Sequence, residues 1–181
     1  MRLSLSAGVE LRVLTATDAE DLHALICRNI DWLSPWMEWA HPEFSKAETL
    51  LFLERSEQGL RMRSDFNFGV RKAGELVGNV GLHVLSRRDR TARIGYWLDE
   101  KATGQGLVTN AVRAIVEFAF NDLETHRIEI RCAPANRASR AIPERLGFTE
   151  EGTNREALRL RDRYQDLVMY SLLRTDPGAT A

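Results

Sequence analysis

The sequence predicts a single α/β domain on a mixed sheet with an antiparallel front half, and three observations carry this. First, the apolar period changes within one stretch, Ile94 to Phe120. Ile94, Tyr96 and Leu98 alternate with Arg93, Trp97 and Asp99 as in a strand, whereas Leu107, Ala111, Ala114, Ile115 and Phe118 share one helical face. Second, the runs Asp65–Arg71 and Leu76–Leu85 are separated only by Lys72-Ala73-Gly74-Glu75, the signature of a hairpin. Third, no repeat, low-complexity run or linker divides the 181 residues, a length of about one domain.

In chain order, Val9 to Leu14 reads as the first strand. Thr17-Asp18-Ala19-Glu20 has the form of a capping box opening a helix, with Leu22, Leu25, Ile26 and Ile30 on its buried face. A proline-broken aromatic stretch follows, from Trp32 through Trp36, Met37, Glu38 and Trp39 to Pro42. Three tryptophans so close together suit either a core-capping loop or dimer contact, or the mobile wall of a pocket. Ser45-Lys46-Ala47-Glu48 is a second capping box, whose helix runs to about Arg63. Beyond the hairpin, the polar turn Ser86–Arg90 leads into the strand at Ile94, and the helix after Gly106 follows. His126 to Ala133 is the next strand, broken by Pro134; Asn136 caps a short helix through Leu146, and Gly147 stops it. Phe148 onward is extended, and Tyr164 to Leu173 is the last strand. The order is β-α-α-β-β-β-α-β-α-β-β, with residues 1–174 as one domain and 175–181 as a frayed tail.

Hydrophobic content of 44% and charged content of 28% are those of a soluble globular protein. No apolar run approaches the roughly 20 residues that span a bilayer, and Met1 to Glu10 lacks the regions of a signal peptide, so a cytoplasmic location is expected. A net charge of −1 gives nucleic acid or anionic lipid nothing to follow. Arginine clusters at Arg87–Arg90 and Arg159–Arg163 are diluted by acids and lack interleaved aromatics, as in solvated loops. Cys27 and Cys132 have no metal-ligand spacing, and no metal is expected.

The turn Lys101-Ala102-Thr103-Gly104-Gln105-Gly106 is where the chemistry concentrates. A helix opens there, its first N–H groups have no internal partner, and its dipole is positive at that end. Glycines let a ligand's oxygens approach, so the turn forms a phosphate cradle; the bland alternative is a plain strand-to-helix turn. Two familiar phosphate motifs fail. Leu107-Val108 stand where a P-loop needs Lys-Ser/Thr, and Thr109 stands where the dinucleotide fingerprint needs a third Gly or Ala.

The ordered set of motifs resembles the GNAT N-acetyltransferase superfamily. Lys101–Gly106 is similar to its acyl-CoA loop, with Lys101 where Arg or Gln is preferred, and Ile94–Asp99 to its cofactor-pairing strand. Asn136–Ser139, Arg145–Phe148 and Glu151-Gly152 resemble the second motif block, and Tyr164–Asp166 with Met169-Tyr170 the final strand. With Asn29–Leu33, the pattern resembles the RimJ/RimL branch, acetyltransferases of ribosomal-protein N-termini, over nearly the whole chain. The resemblance implies a sheet with splayed central strands flanked by helices, and acetyl-CoA as co-substrate. The amides of Ala102, Thr103, Gly104, Gln105, Gly106 and Leu107 would hold the pyrophosphate, with the Thr109 hydroxyl beside them. Trp97 and Leu98 would pair with the pantetheine arm as a neighbouring strand does, and Asn136 would bind its side. The Leu98 N–H would meet the thioester oxygen, and Ser139 would protonate the departing thiolate. Trp32, Trp36, Glu38 and Trp39 would line the acceptor pocket.

The base is less determined. Counting back from Tyr164 puts the branch's acidic position on Leu158, which cannot accept a proton; Glu156, two residues earlier on a continuous strand, and Glu38 are the substitutes. A third route needs no base, because an α-amine with a pKa of about 8 is partly neutral near pH 7.5. Cys132 reads as a small inert core thiol rather than an acetyl carrier, and His83 as a strand histidine rather than a base. The sequence thus points to acetyl transfer from acetyl-CoA to an amine, with a protein N-terminus as acceptor and a homodimer as its assembly. The alternatives are a small-molecule amine as acceptor, or a non-catalytic acyl-CoA sensor on the same scaffold.

Overall fold

A computed structural model describes residues 1–6 and 8–177. Strands β1 (Arg2–Ser6) and β2 (Val9–Val13) precede helices α1 (Ala19–Cys27), α2 (Ile30–Leu33) and α3 (Lys46–Met62). Then come β3 (Asp65–Lys72), β4 (Glu75–Ser86), β5 (Thr91–Leu98), α4 (Leu107–Asn121), β6 (Arg127–Cys132), α5 (Arg137–Arg145), β7 (Thr149–Leu160) and β8 (Arg163–Leu173). The eight strands form one mixed sheet in the order β1-β2-β3-β4-β5-β6-β8-β7, in which only β5 and β6 pair in parallel. The expected α/β class, antiparallel front half and flanking helices are all present.

Each strand sorts its residues by face. Phe66, Phe68, Val80, Leu82, Ile94, Ile128 and Ile130 meet Val112, Ile115, Phe118 and Ala119 of α4 in the main core. On the other face Leu22, Leu25 and Ile26 of α1 and Leu53 of α3 form a smaller cluster with Leu14 and Leu76. The period-2 and period-3.6 patterns around Gly106 therefore bury the side chains that the sequence assigns to the core.

Four local readings need correction. β1 was not foreseen: five residues with two leucines are too weak a pattern, and the strand exists because it pairs with β2. The first capping box is Thr15 with Asp18, not Thr17 with Glu20. The Asp18 carboxylate turns back to the Thr15 N–H at 2.9 Å and is held by Arg12 at 2.6 Å and Arg71 at 2.5 Å, which draws it into the core. Ile30 opens α2 rather than extending α1, although it still packs against the smaller cluster. Finally, β7 is not a continuous strand, because its register against β8 shifts between Asn154 and Leu158. The second capping box, Ser45 with Glu48, holds, and α3 ends where Arg63 takes a left-handed conformation. After β8 the Asp176 carboxylate accepts the Leu173 N–H at 2.8 Å; residues 178–181 of the expected tail lie outside the described residues.

Candidate active site

The site begins as a failure of pairing. β5 and β6 are in register only from Thr91/Arg127 to Ile94/Ile130, yet β5 continues to Leu98 and β6 to Cys132. Their carboxyl ends therefore splay, as the resemblance implied, and a slot opens between them. On its other edge β5 stays paired with β4 out to Leu98, and the Asp99 N–H donates to the Val77 carbonyl at 2.8 Å. Alternation along an antiparallel ladder then commits the backbone groups of Trp97 and Gly95 to β4 and turns those of Tyr96 and Leu98 toward the slot. The Leu98 backbone thus faces the slot. The Trp97 backbone does not: it is paired with β4, and Trp97 contributes a side chain packed on Trp39 with ring centres 5.8 Å apart.

One mouth of the slot is a groove of about 650 Å³ along the turn before α4, lined by Ala102 to Leu107, Thr109, Arg113 and Arg145. Gly104 and Gly106 have φ of +74° and +71°, the left-handed region that side chains avoid, and a Cβ at either would meet nothing within 4 Å. Their need for glycine is conformational, and the space above them is free for a ligand. Ala102 and Thr103 line the groove, but their N–H groups donate to the Asp99 and Glu100 carbonyls. The open amides therefore start at Gly104 and continue into the first turn of α4, a narrower cradle than expected. Gln105 accepts from Lys72 on the β3–β4 hairpin at 2.5 Å. Thr109 accepts from Arg145 at 2.9 Å, tying α4 to α5. The start of the turn is clamped from α1 and its C-terminal end: Arg28 donates to Asp99 at 2.8 Å and the Asn29 Oδ1 accepts the Glu100 N–H at 3.0 Å.

The other mouth is a cavity of about 730 Å³ on the α1/α3 face, and Met37, Tyr96, Trp97, Asn136 and Ser139 line both spaces. At this junction Asn136 caps α5 by accepting the Ser139 N–H at 3.0 Å. The Ser139 hydroxyl donates to the Tyr96 Oη at 3.3 Å and lies 3.2 Å from the Cys132 Sγ, while Tyr96 donates to the Ser139 carbonyl at 2.9 Å. Burial pushes the Tyr96 phenol well above its ordinary range and raises the Cys132 thiol, so both stay protonated beside Ser139. Cys132 is buried, and Ser139 and Tyr96 are the side-chain partners within reach of its sulfur.

Trp36, Glu38 and Trp39 line this cavity as expected, with Phe44, Phe52 and Leu167. Trp32 lines the groove instead, because α2 turns it away from the aromatic loop that follows. Glu156 does not line the cavity at all: on the β7 bulge it has a φ of +50° and its N–H donates to Asp166. The argument that it shares a face with Leu158 fails with the register, although Leu158 itself is a wall residue. Glu48 also reaches the cavity, but the Ser45 N–H and hydroxyl and then His41 hold its carboxyl below the usual range, so its lone pairs are committed. His83, a strand residue of β4 as read, lines the cavity with its Nδ1 bonded to Asp65. Sequence reasoning missed Tyr96, Asn67, Asn79 and the Asp65–His83 pair, all legible only as alternate residues of strands whose neighbours were unknown.

With this geometry in hand, comparison with known proteins is specific. The sequence profile of the acetyltransferase (GNAT) domain matches residues 9–149. The Bacillus subtilis (strain 168) protein YdaF, provisionally named a ribosomal N-acetyltransferase, is 37% identical over 174 residues, 93% of this chain and 92% of its own. The ribosomal-protein-serine acetyltransferase of Escherichia coli (strain K12) is 30% identical over 173 residues, 93% of this chain and 94% of its own. Among solved structures, RimL, a ribosomal alpha-N-protein acetyltransferase in complex with coenzyme A, superposes with a TM-score of 0.91 at 26% identity, covering 96% of this chain and 98% of that one. The slot between two splayed strands, the glycine turn at its mouth and this agreement over nearly the whole length lead to one conclusion: the chain belongs to the GNAT acetyltransferase family.

Proposed function

We propose that the protein transfers acetyl from acetyl-CoA to the α-amino group of a protein N-terminus, of the ribosomal-protein type, by direct attack. The observation that carries this reading is the meeting of a phosphate-suited groove and a larger aromatic cavity at Ser139, from opposite faces of the sheet. Acetyl-CoA fits the first: open amides from Gly104 onward suit its pyrophosphate, and Arg113 and Arg145 add positive charge. The slot-facing groups of Tyr96 and Leu98, about 7 Å apart, suit the two amides of the pantetheine arm. Tyr96 lines both spaces and Leu98 only the groove, so the Tyr96 N–H is the nearer donor for charge developing on the thioester oxygen, and Leu98 holds the arm behind it. The amine attacks the carbonyl, the C–S bond breaks, and Ser139 supplies a proton to sulfur while Tyr96 and Asn136 hold it in place. Glu38 is the one cavity carboxylate of the two expected candidates, and an α-amine leaves it only an assisting role.

Relatives support the acceptor assignment, since YdaF and the Escherichia coli enzyme are both named for ribosomal proteins. A small-molecule amine is the second reading, supported by the microcin C7 self-immunity acetyltransferase MccE, solved with acetyl-CoA and AMP, at a TM-score of 0.86 and 27% identity over 93% of this chain. The sensor alternative gives way to membership of an acetyltransferase family and a hydroxyl at the junction. No helix among the described residues is long and apolar enough to cross a membrane, and a cytoplasmic homodimer completes the reading. Assaying the protein with acetyl-CoA against N-terminal peptides and a panel of small amines tests it: turnover confined to small amines overturns the protein acceptor. Sedimentation of the protein as a monomer would remove the dimer.

A further inference from the structure

The cavity wall is aromatic and aliphatic on the loop side, but its sheet side is polar. Asn79 on β4 and Asn67 on β3 lie there, only 7% and 6% exposed. The Asn79 Nδ2 donates to the Phe68 carbonyl at 3.0 Å, and the Asn67 Nδ2 donates to the Ser56 Oγ at 3.1 Å. Fixing the nitrogen of a planar carboxamide also fixes its oxygen. Among the described residues no donor reaches either Oδ1, and neither atom is sealed in the core, so both open on the cavity as acceptors free for whatever binds there. The positions are specific. Asn79 pairs with Trp97, one of the residues common to both spaces. The next pair on this face is Gly81 with Gly95, where the floor carries no side chain. A Cβ on Gly95 would meet nothing within 4 Å, and one on Gly81 would stand 2.8 Å from the Asn67 Oδ1. The floor is therefore a shallow recess over Gly95, with the Asn79 carboxamide at one end and the Asn67 oxygen and His83 ring standing together over Gly81 at the other.

We propose that the Asn79 Oδ1 accepts an N–H of the attacking amine and holds it against the slot, with the Asn67 Oδ1 accepting from the acceptor chain further out. This inference rests on the reading of the site as an amine acetyltransferase and names the group that positions its acceptor. In the reaction the nitrogen lone pair forms the N–C bond, and the C–S electron pair leaves on sulfur. One proton passes from nitrogen to solvent, Ser139 supplies one to sulfur, and solvent returns a proton to the Ser139 hydroxyl. A neutral carboxamide suits this better than a carboxylate, whose full charge would favour the unreactive ammonium. It orients the amine without raising its pKa, so an α-amine near 8 keeps a usable neutral fraction in the site.

The test compares wild type, Asn79→Ala and Asn79→Asp with whichever amine the wild type uses, so that a wrong acceptor class and a wrong residue are separable. Asn79→Ala lowers kcat/KM about tenfold or more, leaves the acetyl-CoA Kd within about twofold, and leaves the acid limb of the kcat–pH profile where it was. Asn79→Asp moves that limb upward by about one pH unit or more as the new carboxylate holds the ammonium. An unmoved limb in Asn79→Asp, or wild-type kcat/KM in Asn79→Ala, overturns the proposal. Should either variant fail to fold, the ¹⁵N side-chain amide signals of Asn79 in the wild type decide. They shift when amine is added to saturation, and unmoved signals overturn the proposal.

Discussion

Ser139 is held by more of the protein than a surface serine would be. Its N–H is bound by Asn136, its carbonyl by Tyr96, and its hydroxyl lies between Tyr96 and Cys132. Two groups that burial keeps protonated surround a hydroxyl that can pass a proton across the slot. A thiol pKa of about 8.5 makes expulsion of thiolate only moderately unfavourable near neutrality. Ser139→Ala is therefore expected to lower kcat by about tenfold, or 1.4 kcal/mol, without abolishing turnover. Its acetyl-CoA affinity by calorimetry should match the wild type, and a wild-type kcat removes Ser139 from the reaction. Cys132 gives a sharper contrast. With its pKa raised by burial, it should be alkylated by iodoacetamide far more slowly than exposed Cys27 at neutral pH, as peptide mass spectrometry would show. Faster labelling of Cys132 would mean that the junction activates this thiol.

At the scale of elements, the turn between β5 and α4 combines a conformational requirement with a clamp. Gly104 and Gly106 sit in the left-handed region, while Asp99 is anchored by Arg28 and caps the Lys101 N–H at 3.1 Å. Despite burial, Arg28 and then the Lys101 N–H keep the Asp99 carboxyl below its usual range, so it stays ionised to complete the clamp. Gly106→Val should cost roughly 1–2 kcal/mol through the backbone, a fall of a few degrees in Tm for a chain of this size. Binding should suffer more, since the side chain enters the space a phosphate would occupy. Calorimetry is expected to show loss of coenzyme A binding in a folded variant, and an unchanged Kd would refute the cradle.

For the whole molecule the decisive feature is that two spaces open on opposite faces and meet where the sheet splits. On the proposed reading neither partner blocks the other's entry, because the groove and the cavity have separate mouths. In that same reading, in which the site needs no base, acceptor choice follows the amine's own acidity. At pH 7.5 a blocked-lysine peptide with a free N-terminus should be acetylated at least tenfold faster than a blocked-N-terminus peptide with a free lysine. Faster lysine acetylation at neutral pH overturns that preference. Stability should depend on acid in a definite direction. Arg127 holds Glu151 down to about 2, while Asp18 and Glu129, despite burial, are also held below their ordinary range by Thr15 with Arg12 and by Arg93 with Arg127. Depressed native pKa values mean that the unfolded chain binds more protons in acid. Their stabilisation is complete above the unfolded range of about 4 to 4.5 and is lost as pH falls through the native values, which for Glu151 means down to about 2. Urea midpoints should drop over that window, and less steeply in Arg127→Gln; equal slopes would dissociate the pair from acid stability.

What the sequence determined by itself is what local periodicity encodes. The hairpin at Ala73-Gly74, α3 between Ser45 and Arg63, the turn into α4 and the cap at Asn136 were all legible because a few adjacent residues set each of them. The ordered motifs also placed the groove and Ser139. Where a side chain's role depends on a distant partner, the sequence was silent or misleading. Asp18 left one capping box for another because Arg71, on a strand not yet formed, helps to hold it. Trp97 lost its backbone groups to β4, and Ala102 and Thr103 theirs to the preceding turn. Glu156 fell out of the site because a register shift, invisible in a run of residues, rotates the strand beneath it. Asn67 and Asn79 came together only through the pairing of β3 with β4. Local chemistry writes elements and their ends; which face, register and neighbour each residue receives is settled when distant strands pair and the core closes.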